Sequence, residues 1–187
     1  MKTIRITPAE GNKFFCMAPW THTFASPQGE RRLCCASREE ASWQKQYIDT
    51  GGGGTDTEFA PLSLDEHWNS EKMRSVRLRM MAGERLPECE VCNDNVLNMH
   101  TYRSYFTEQL FSHKIQEAFA STGDNGVTVM QPVSFDYRFS NLCNFKCVMC
   151  GEQLSSSWET EKRMLKSWNP KNDKWMIKDN RFKIKSF

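Results

Sequence analysis

Three cysteines near the middle of the chain, Cys143, Cys147 and Cys150, form a C-x3-C-x2-C run. The run follows residues 133–139, in which apolar and polar side chains alternate in the pattern of a β-strand. Three thiolates on one short loop suit a four-iron, four-sulfur cluster whose fourth iron has no protein ligand. Such an open iron can bind and reduce a small molecule, so the spacing predicts a reactive iron–sulfur site. Zinc suits the run less well because no fourth ligand lies at zinc-finger spacing.

Other cysteines lie closer to the N-terminus and are called the first cysteine set, after their order in the chain: Cys16, Cys34, Cys35, Cys89 and Cys92. Four thiolates can close either a tetrahedral zinc site or a complete cluster, and the spacing alone leaves both open. Cys34 is the preferred ligand of the adjacent pair because Gly29 precedes it in a G-x4-C arrangement. Cys35 points to the opposite face of an extended backbone, and we expect it to be a small buried hydrophobe. His22 is considered as a replacement for one thiolate.

The composition favours an ordinary cytoplasmic domain. The chain has a formal net charge of +2 and 39% hydrophobic residues, so its charge gives no argument for a nucleic-acid or membrane-surface partner. No apolar run approaches the roughly 18 residues needed to cross a bilayer, and the first residues do not resemble a signal peptide. In the cytoplasm thiols stay reduced, and clustered cysteines there bind metal more often than they form disulfides.

Capping and periodicity predict the helices. Ser63-x2-Glu66 has the capping-box pattern and predicts a helix that begins there, or restarts at Ser70, and ends at Gly83. Apolar residues at helical spacing predict a second helix over residues 102–119. Three further features are predicted: a flexible glycine loop at residues 51–54, a helix over residues 154–166 and a solvated basic end over residues 171–187.

The cysteine run resembles the cluster loop of radical S-adenosylmethionine (SAM) enzymes. The likeness rests on residues 140–151, SNLCNFKCVMCG, and on residues 155–158, SSSW. It implies that the three thiolates of the run hold a cluster that binds SAM through its amine and carboxylate. Reductive cleavage of SAM would then give a 5′-deoxyadenosyl radical that abstracts a hydrogen atom from a substrate. Phe145 and Met149 are implied to line the cofactor site.

The N-terminal cysteines resemble the auxiliary-cluster modules called twitch and SPASM. Residues 16–22, CMAPWTH, and the G-x4-C arrangement at 29–34 are similar to the opening of such a module. Residues 68–70, 80–87 and 89–92 are similar to the part that completes it. The resemblance implies a second four-iron cluster, in preference to zinc, on one set of ligands: Cys16, Cys34, Cys89 and Cys92.

The resemblance implies an α/β fold with two parts. Residues 1–125 would form the small cysteine-rich auxiliary cluster module, and residues 126–187 the first β/α unit of a partial (β/α) barrel. Six barrel units need about 190 residues, whereas only 37 residues follow Cys150. The Gly-Gly-Glu motif with which the family contacts the SAM amine is also missing from the sequence. We therefore expect a truncated barrel, as in the N-terminal portion of a radical SAM enzyme.

The implied partners are an unknown substrate, with a peptide or protein as one candidate, and a low-potential electron donor such as flavodoxin or ferredoxin. A hypothesis from a different class is a non-catalytic iron–sulfur or zinc-binding protein that acts in electron transfer or partner binding. The short chain after the cysteine run favours this alternative.

Overall fold

The fold is known for most of the chain between residues 11 and 161. The computed structural model describes residues 11–26, 30–38, 47–49, 57–59, 62–94, 101–138, 140–147, 150, 154–158 and 161. Several predicted features lie outside the described residues: Gly29, the glycine loop at 51–54, Met149, much of the helix predicted over 154–166 and the basic end at 171–187.

The strands form two small sheets. The first has three strands in the order β2-β1-β5: β2 (Arg31–Arg32), β1 (His22–Ala25) and β5 (Ser134–Tyr137). The second is an antiparallel pair: β3 (Tyr47–Asp49) and β4 (Thr57–Phe59). In the first sheet β2 is antiparallel to β1, whereas β5 is parallel to it with His22 opposite Ser134. Parallel pairing requires a long crossover, and the helices between β1 and β5 lie in that connection.

The helices are short. The α-helices are α1 (Ala18–Thr21), α2 (Leu64–Trp68), α3 (Glu71–Met81), α4 (Glu90–Asp94), α5 (Tyr102–Ser104) and α6 (Ile115–Ser121). Two 3₁₀ turns cover Pro87–Cys89 and Ser112–Lys114, and a π-helical segment covers Tyr105–Leu110. The mixture of helices and strands with a small sheet agrees with the predicted class, while the partial barrel remains a prediction. No helix of the described residues could cross a bilayer.

The predicted helix start and restart both occur. The Ser63 backbone N–H donates to the Glu66 carboxylate at 2.8 Å, and the Glu66 N–H donates to the Ser63 hydroxyl at 3.2 Å, which closes a capping box on α2. Ser70 then caps α3 by accepting from the N–H of Met73 at 3.3 Å. Gly83 follows α3 with a φ of 76°, a left-handed conformation that glycine adopts without a steric penalty. These local signals were therefore sufficient to locate both helices.

The single helix predicted over residues 102–119 is wrong. The chain instead passes from α5 through the π-helical segment and a 3₁₀ turn into α6, and the N–H of Phe111 donates to the carbonyl of Phe106 at 3.1 Å. The wider turn rotates the apolar residues relative to a regular helix. Phe106 is consequently 5% exposed, whereas Leu110, which the regular pattern places on the same face, is 37% exposed.

The hydrophobic core joins α1, α3 and α6 and reaches the cysteines. Cys16 belongs to the core, and Cys89 packs against it. The indole of Trp20 packs on Phe15 with ring centroids 5.2 Å apart and donates to the Thr122 hydroxyl at 2.7 Å. The first cysteine set is thus attached to the best-packed part of the molecule.

A buried guanidinium, that of Arg77 on α3, fixes the elements around the core. Its nitrogens donate to four oxygens at 2.6–3.3 Å: the carbonyls of Pro19, Trp68 and Gly126 and the side-chain oxygen of Asn69. Burial lowers the pKa of Arg77 to about 9, so the group remains charged at neutral pH. The loop at Gly126 also lies so close to α3 that a Cβ there would come within 2.4 Å of the Arg74 carbonyl oxygen.

We predict that Arg77→Met lowers the free energy of unfolding by about 3 kcal/mol or more, because it leaves three buried carbonyls without their donor. Arg79→Met is the matched control. Arg79 lies on the same helix, but it pairs with Glu84 near the surface, and its loss should change stability by about 0.5 kcal/mol or less. Urea unfolding measures both, and equal stability of the two variants would contradict the role assigned to Arg77.

Candidate metal centre

Four thiols of the first cysteine set line one cavity: Cys16, Cys34, Cys89 and Cys92. Apolar groups form much of its wall: Ala18, Pro19, Leu33, Ala36, Met80 and Phe106. Four other residues complete it: Ser37, Glu88, Tyr102 and Arg103. Residues far apart in the sequence thus present four soft sulfur donors to one largely apolar space, which is the donor type that iron–sulfur clusters and zinc use.

Cys16 and Cys34 reach the cavity from segments that adjoin α1 and β2. Cys16 precedes α1, and the N–H of Ala18 donates to its sulfur at 3.5 Å. Cys34 follows β2 in a turn, where the Ser37 hydroxyl donates to its carbonyl oxygen at 2.7 Å. Because β2 runs antiparallel to β1, its end lies beside the start of β1, and the two cysteines meet there.

Cys89 and Cys92 reach the cavity from one helical turn. Pro87 begins the 3₁₀ turn that ends at Cys89, and α4 continues through Cys92. Residues three positions apart lie on the same side of a helix. The C-x2-C pair therefore points both thiols to one side.

Burial and mutual repulsion raise the pKa of three cavity thiols, those of Cys16, Cys34 and Cys89. Burial raises the pKa of Cys16 to about 11 and that of Cys89 to about 12, and the neighbouring cysteines add to both shifts. The pKa of Cys34 is raised well above its usual value, by burial and then by Cys16. Without a metal these thiols are protonated at neutral pH, so metal binding must release protons from the site.

Neither Cys35 nor His22 lines the cavity. Cys35 is partly buried, and its thiol forms a hydrogen bond with the hydroxyl of Tyr102. His22 is buried, its Nδ1 lies 3.0 Å from the hydroxyl oxygen of Ser134, and its ring packs on Phe106. The structure thus places His22 behind a residue of the cavity wall rather than beside the thiols.

The four thiols line the cavity without forming a closed single-ion site. Among the described residues, no three His, Cys, Asp or Glu side chains are grouped so that they could hold one metal ion. The donor set of four thiols is one that both zinc and four-iron clusters use.

The C-x3-C-x2-C loop lies in a different environment. Cys147 is exposed, whereas Cys143 and Cys150 are partly buried. Phe145 is 67% exposed, so its ring is available to a ligand. The loop begins a few residues after β5, and the parallel strands of α/β folds place active sites at their carboxyl ends.

A run of serines holds the backbone of this loop. The hydroxyl of Ser157 donates to the carbonyl oxygen of Cys143 at 2.8 Å, and that of Ser155 donates to the carbonyl oxygen of Phe145 at 2.7 Å. The indole N–H of Trp158 donates to the carbonyl oxygen of Cys147 at 3.2 Å. In the sequence these residues are part of the motif that resembles the radical SAM cluster loop. Their spacing alone did not predict that they would donate hydrogen bonds to the backbone of the loop.

The two cysteine sets adjoin different strands of one sheet. Cys16 precedes α1 and β1, Cys34 follows β2, and Cys143 follows β5, which runs parallel to β1. Because β5 pairs with β1, the strand before the C-x3-C-x2-C loop belongs to the same sheet as the strands that adjoin Cys16 and Cys34. The predicted domain boundary at residues 125 and 126 remains a prediction.

Arg103 and Glu88 are residues of the cavity that sequence reasoning missed. Arg103 lies three positions before Phe106, which puts a charged residue on the apolar face of the helix predicted over 102–119. This charged residue among apolar ones was the only sign in the sequence that Arg103 has a buried role. Glu88 gave none, because an acidic residue beside Cys89 is equally compatible with a solvated turn.

The comparison with protein families supports the first cysteine set. Residues 16–93 match the family model of SPASM, an iron–sulfur cluster-binding domain. SPASM is an auxiliary-cluster domain of radical SAM proteins, so the predicted likeness of this segment is confirmed, and iron–sulfur binding is the function it indicates. All four thiols of the cavity fall within the match, whereas the C-x3-C-x2-C loop lies beyond it. No curated protein and no solved structure matched the chain.

We predict that alkylation of the metal-free chain at pH 8 modifies Cys147 before Cys16. The pKa of Cys16 rises from 9.0 to about 11, which lowers its reactive thiolate fraction about a hundredfold. Its rate should therefore increase with pH until the pH reaches about 11. Mass spectrometry of the labelled peptides gives both rates, and the urea-unfolded chain is the control. Equal rates for the two thiols in the folded chain would contradict the burial described above.

Proposed function

We propose that this chain holds two four-iron clusters and acts in radical SAM chemistry, as an enzyme or as the N-terminal portion of one. The ligands of the auxiliary cluster would be Cys16, Cys34, Cys89 and Cys92. Those of the SAM-binding cluster would be Cys143, Cys147 and Cys150. The observation that carries the proposal is the meeting of four thiols at one buried cavity within the SPASM-like segment.

The SPASM match favours an iron–sulfur cluster over a zinc ion in the cavity. The residues that line the cavity include four cysteines and no histidine, a donor set that a four-iron cluster can use in full. Apolar walls exclude water from a cluster and help to set its reduction potential. A complete set of four protein ligands leaves no iron open, so this site would serve structure or electron transfer.

The C-x3-C-x2-C loop supplies three thiols, so one iron of a four-iron cluster bound there would have no protein ligand. A cluster held by Cys143, Cys147 and Cys150 would supply the electron for reductive cleavage of SAM to methionine and a 5′-deoxyadenosyl radical. The hydrogen bonds from Ser155, Ser157 and Trp158 fix the loop backbone before any cluster binds, so less ordering is needed on loading. The exposed ring of Phe145, and Met149 by resemblance, would give SAM an apolar surface.

The remaining parts of the proposal rest on the resemblance. They are a partial (β/α) barrel that begins with β5, a cytoplasmic location, a substrate such as a peptide or protein, and a low-potential donor such as flavodoxin or ferredoxin.

A second candidate is a cluster-binding protein that works in electron transfer or partner binding without cleaving SAM. The observation that favours it is the exposure of large apolar residues on and near β5, where Val133 is 55% and Phe135 is 56% exposed. Exposed apolar groups that lie together mark surfaces that another protein segment covers. Both candidate functions require the same bound clusters, and they differ in whether the chain cleaves SAM.

Anaerobic reconstitution with iron and sulfide tests the metal sites. We expect about eight irons in the native chain and about four in Cys34→Ala. Cys35→Ala is the matched control, because it removes the neighbouring thiol that does not line the cavity, and it should keep about eight. Iron loss that is equal in the two variants would refute the assigned ligand set.

Addition of SAM and a strong reductant to the reconstituted chain tests the reaction. We expect 5′-deoxyadenosine from the native chain, which chromatography detects, and none from Cys147→Ala. Product formation that survives this substitution would remove the loop from the mechanism. A native chain that binds iron at both sites but forms no product would favour the second candidate.

A further inference from the structure

One guanidinium, that of Arg103 on α5, lines the cavity together with the four thiols. Only 8% of the residue is exposed. A buried charge is costly unless hydrogen bonds or an opposite charge compensate it. The groups around Arg103 therefore indicate which partner compensates its charge.

Two contacts orient the side chain. One terminal nitrogen donates to the side-chain oxygen of Asn93 at 2.6 Å, and the guanidinium lies 5.8 Å from the centroid of the Phe14 ring. Asn93 follows Cys92 directly, and its own amide donates to the carbonyl of Leu86 at 2.9 Å. Arg103 is thus held in a fixed position relative to the C-x2-C pair.

The Nε–H of Arg103 is left without an acceptor. It is buried, and no hydrogen-bond partner is found for it among the described residues. An unmade bond of this kind costs about as much as a hydrogen bond is worth, and native proteins keep few of them. The described residues therefore leave one buried donor of Arg103 free to bind a group held in the cavity.

The charges around the cavity point to the same acceptor. The guanidinium of Arg103 is the cation that lines the cavity beside the four cysteines, as far as the described residues show. Glu88 is the acidic residue of the cavity wall, and its carboxylate is paired with Lys72 at 2.7 Å. Arg103 therefore remains available to compensate negative charge on the sulfurs.

We propose that Arg103 is a positioning residue for the auxiliary cluster: its Nε–H donates a hydrogen bond to a cluster or cysteine sulfur and favours the reduced state. This inference rests on the proposed function. One-electron reduction adds negative charge to a group already bound by four thiolates. A cation and a donor beside the sulfurs stabilise that charge and raise the reduction potential.

The redox test compares two substitutions that each remove one arginine. Both are made in the full chain with C143A/C147A/C150A, so that only the cavity is loaded. Arg103→Met should make the cluster about tenfold or more harder to reduce, a fall of about 59 mV or more for one electron. Arg85→Met is the control, since Arg85 pairs at the surface with Glu90, the residue after Cys89. Potentials that are equal in the two variants overturn the proposal.

A second measurement keeps the native side chain. The same triple variant is prepared with isotope-labelled arginine, the cluster is reduced, and pulsed electron paramagnetic resonance detects coupling between the cluster spin and arginine nitrogen. We expect one coupled arginine nitrogen and one exchangeable proton that disappears in deuterated buffer. A reduced cluster without these couplings overturns the proposal even where Arg103→Met does not fold.

Iron content separates this inference from the proposed function. A triple variant that takes up no cluster at the cavity overturns both. A triple variant that holds about four irons but lacks the couplings and the potential shift overturns the role of Arg103 and leaves the proposed function intact.

Discussion

The rest of the structure depends on the hydrogen bonds of one buried cation. Arg77 connects α1, the junction of α2 and α3, and the loop at Gly126 through neutral oxygens alone. Such a group is tolerated inside a protein only where its donors are satisfied, so the segments that carry the oxygens are held in one arrangement. One of these segments, α1, begins two residues after Cys16, and the constraint therefore extends to the cavity.

The cavity itself sets a second constraint, which concerns charge. Protonated thiols are inexpensive to bury, whereas four thiolates in an apolar space repel one another. The raised pKa values of Cys16 and Cys89 express this cost. A cluster of iron ions would compensate the charge from inside the cavity, and Arg103 would do so from its wall. The arrangement is consistent with a site that is completed on metal binding.

Local signals in the sequence predicted local structure well. The caps at Ser63 and Ser70 and the turn at Gly83 were all found where the residues indicated, because a cap depends on neighbours within a few positions. The ligand set of the cavity was also proposed from spacing and resemblance, and the structure brings those thiols together.

Nonlocal features could not be predicted in the same way. His22 contacts Ser134 across 112 positions of sequence, and nothing in either segment specifies that pairing. The π-helical turn that buries Phe106 arises from the competition of aromatic side chains for the core, which a period of 3.6 residues does not describe. Arg103 was missed for the same reason, since its burial depends on Asn93 and on the cavity.

The central claim is that the buried cavity holds a four-iron cluster. Mössbauer spectroscopy of C143A/C147A/C150A, reconstituted with isotopically enriched iron, tests it most directly. We expect about four irons per chain and the spectrum of one four-iron cluster. One tightly bound zinc ion per chain that iron does not displace, or iron without a cluster spectrum, would contradict the claim.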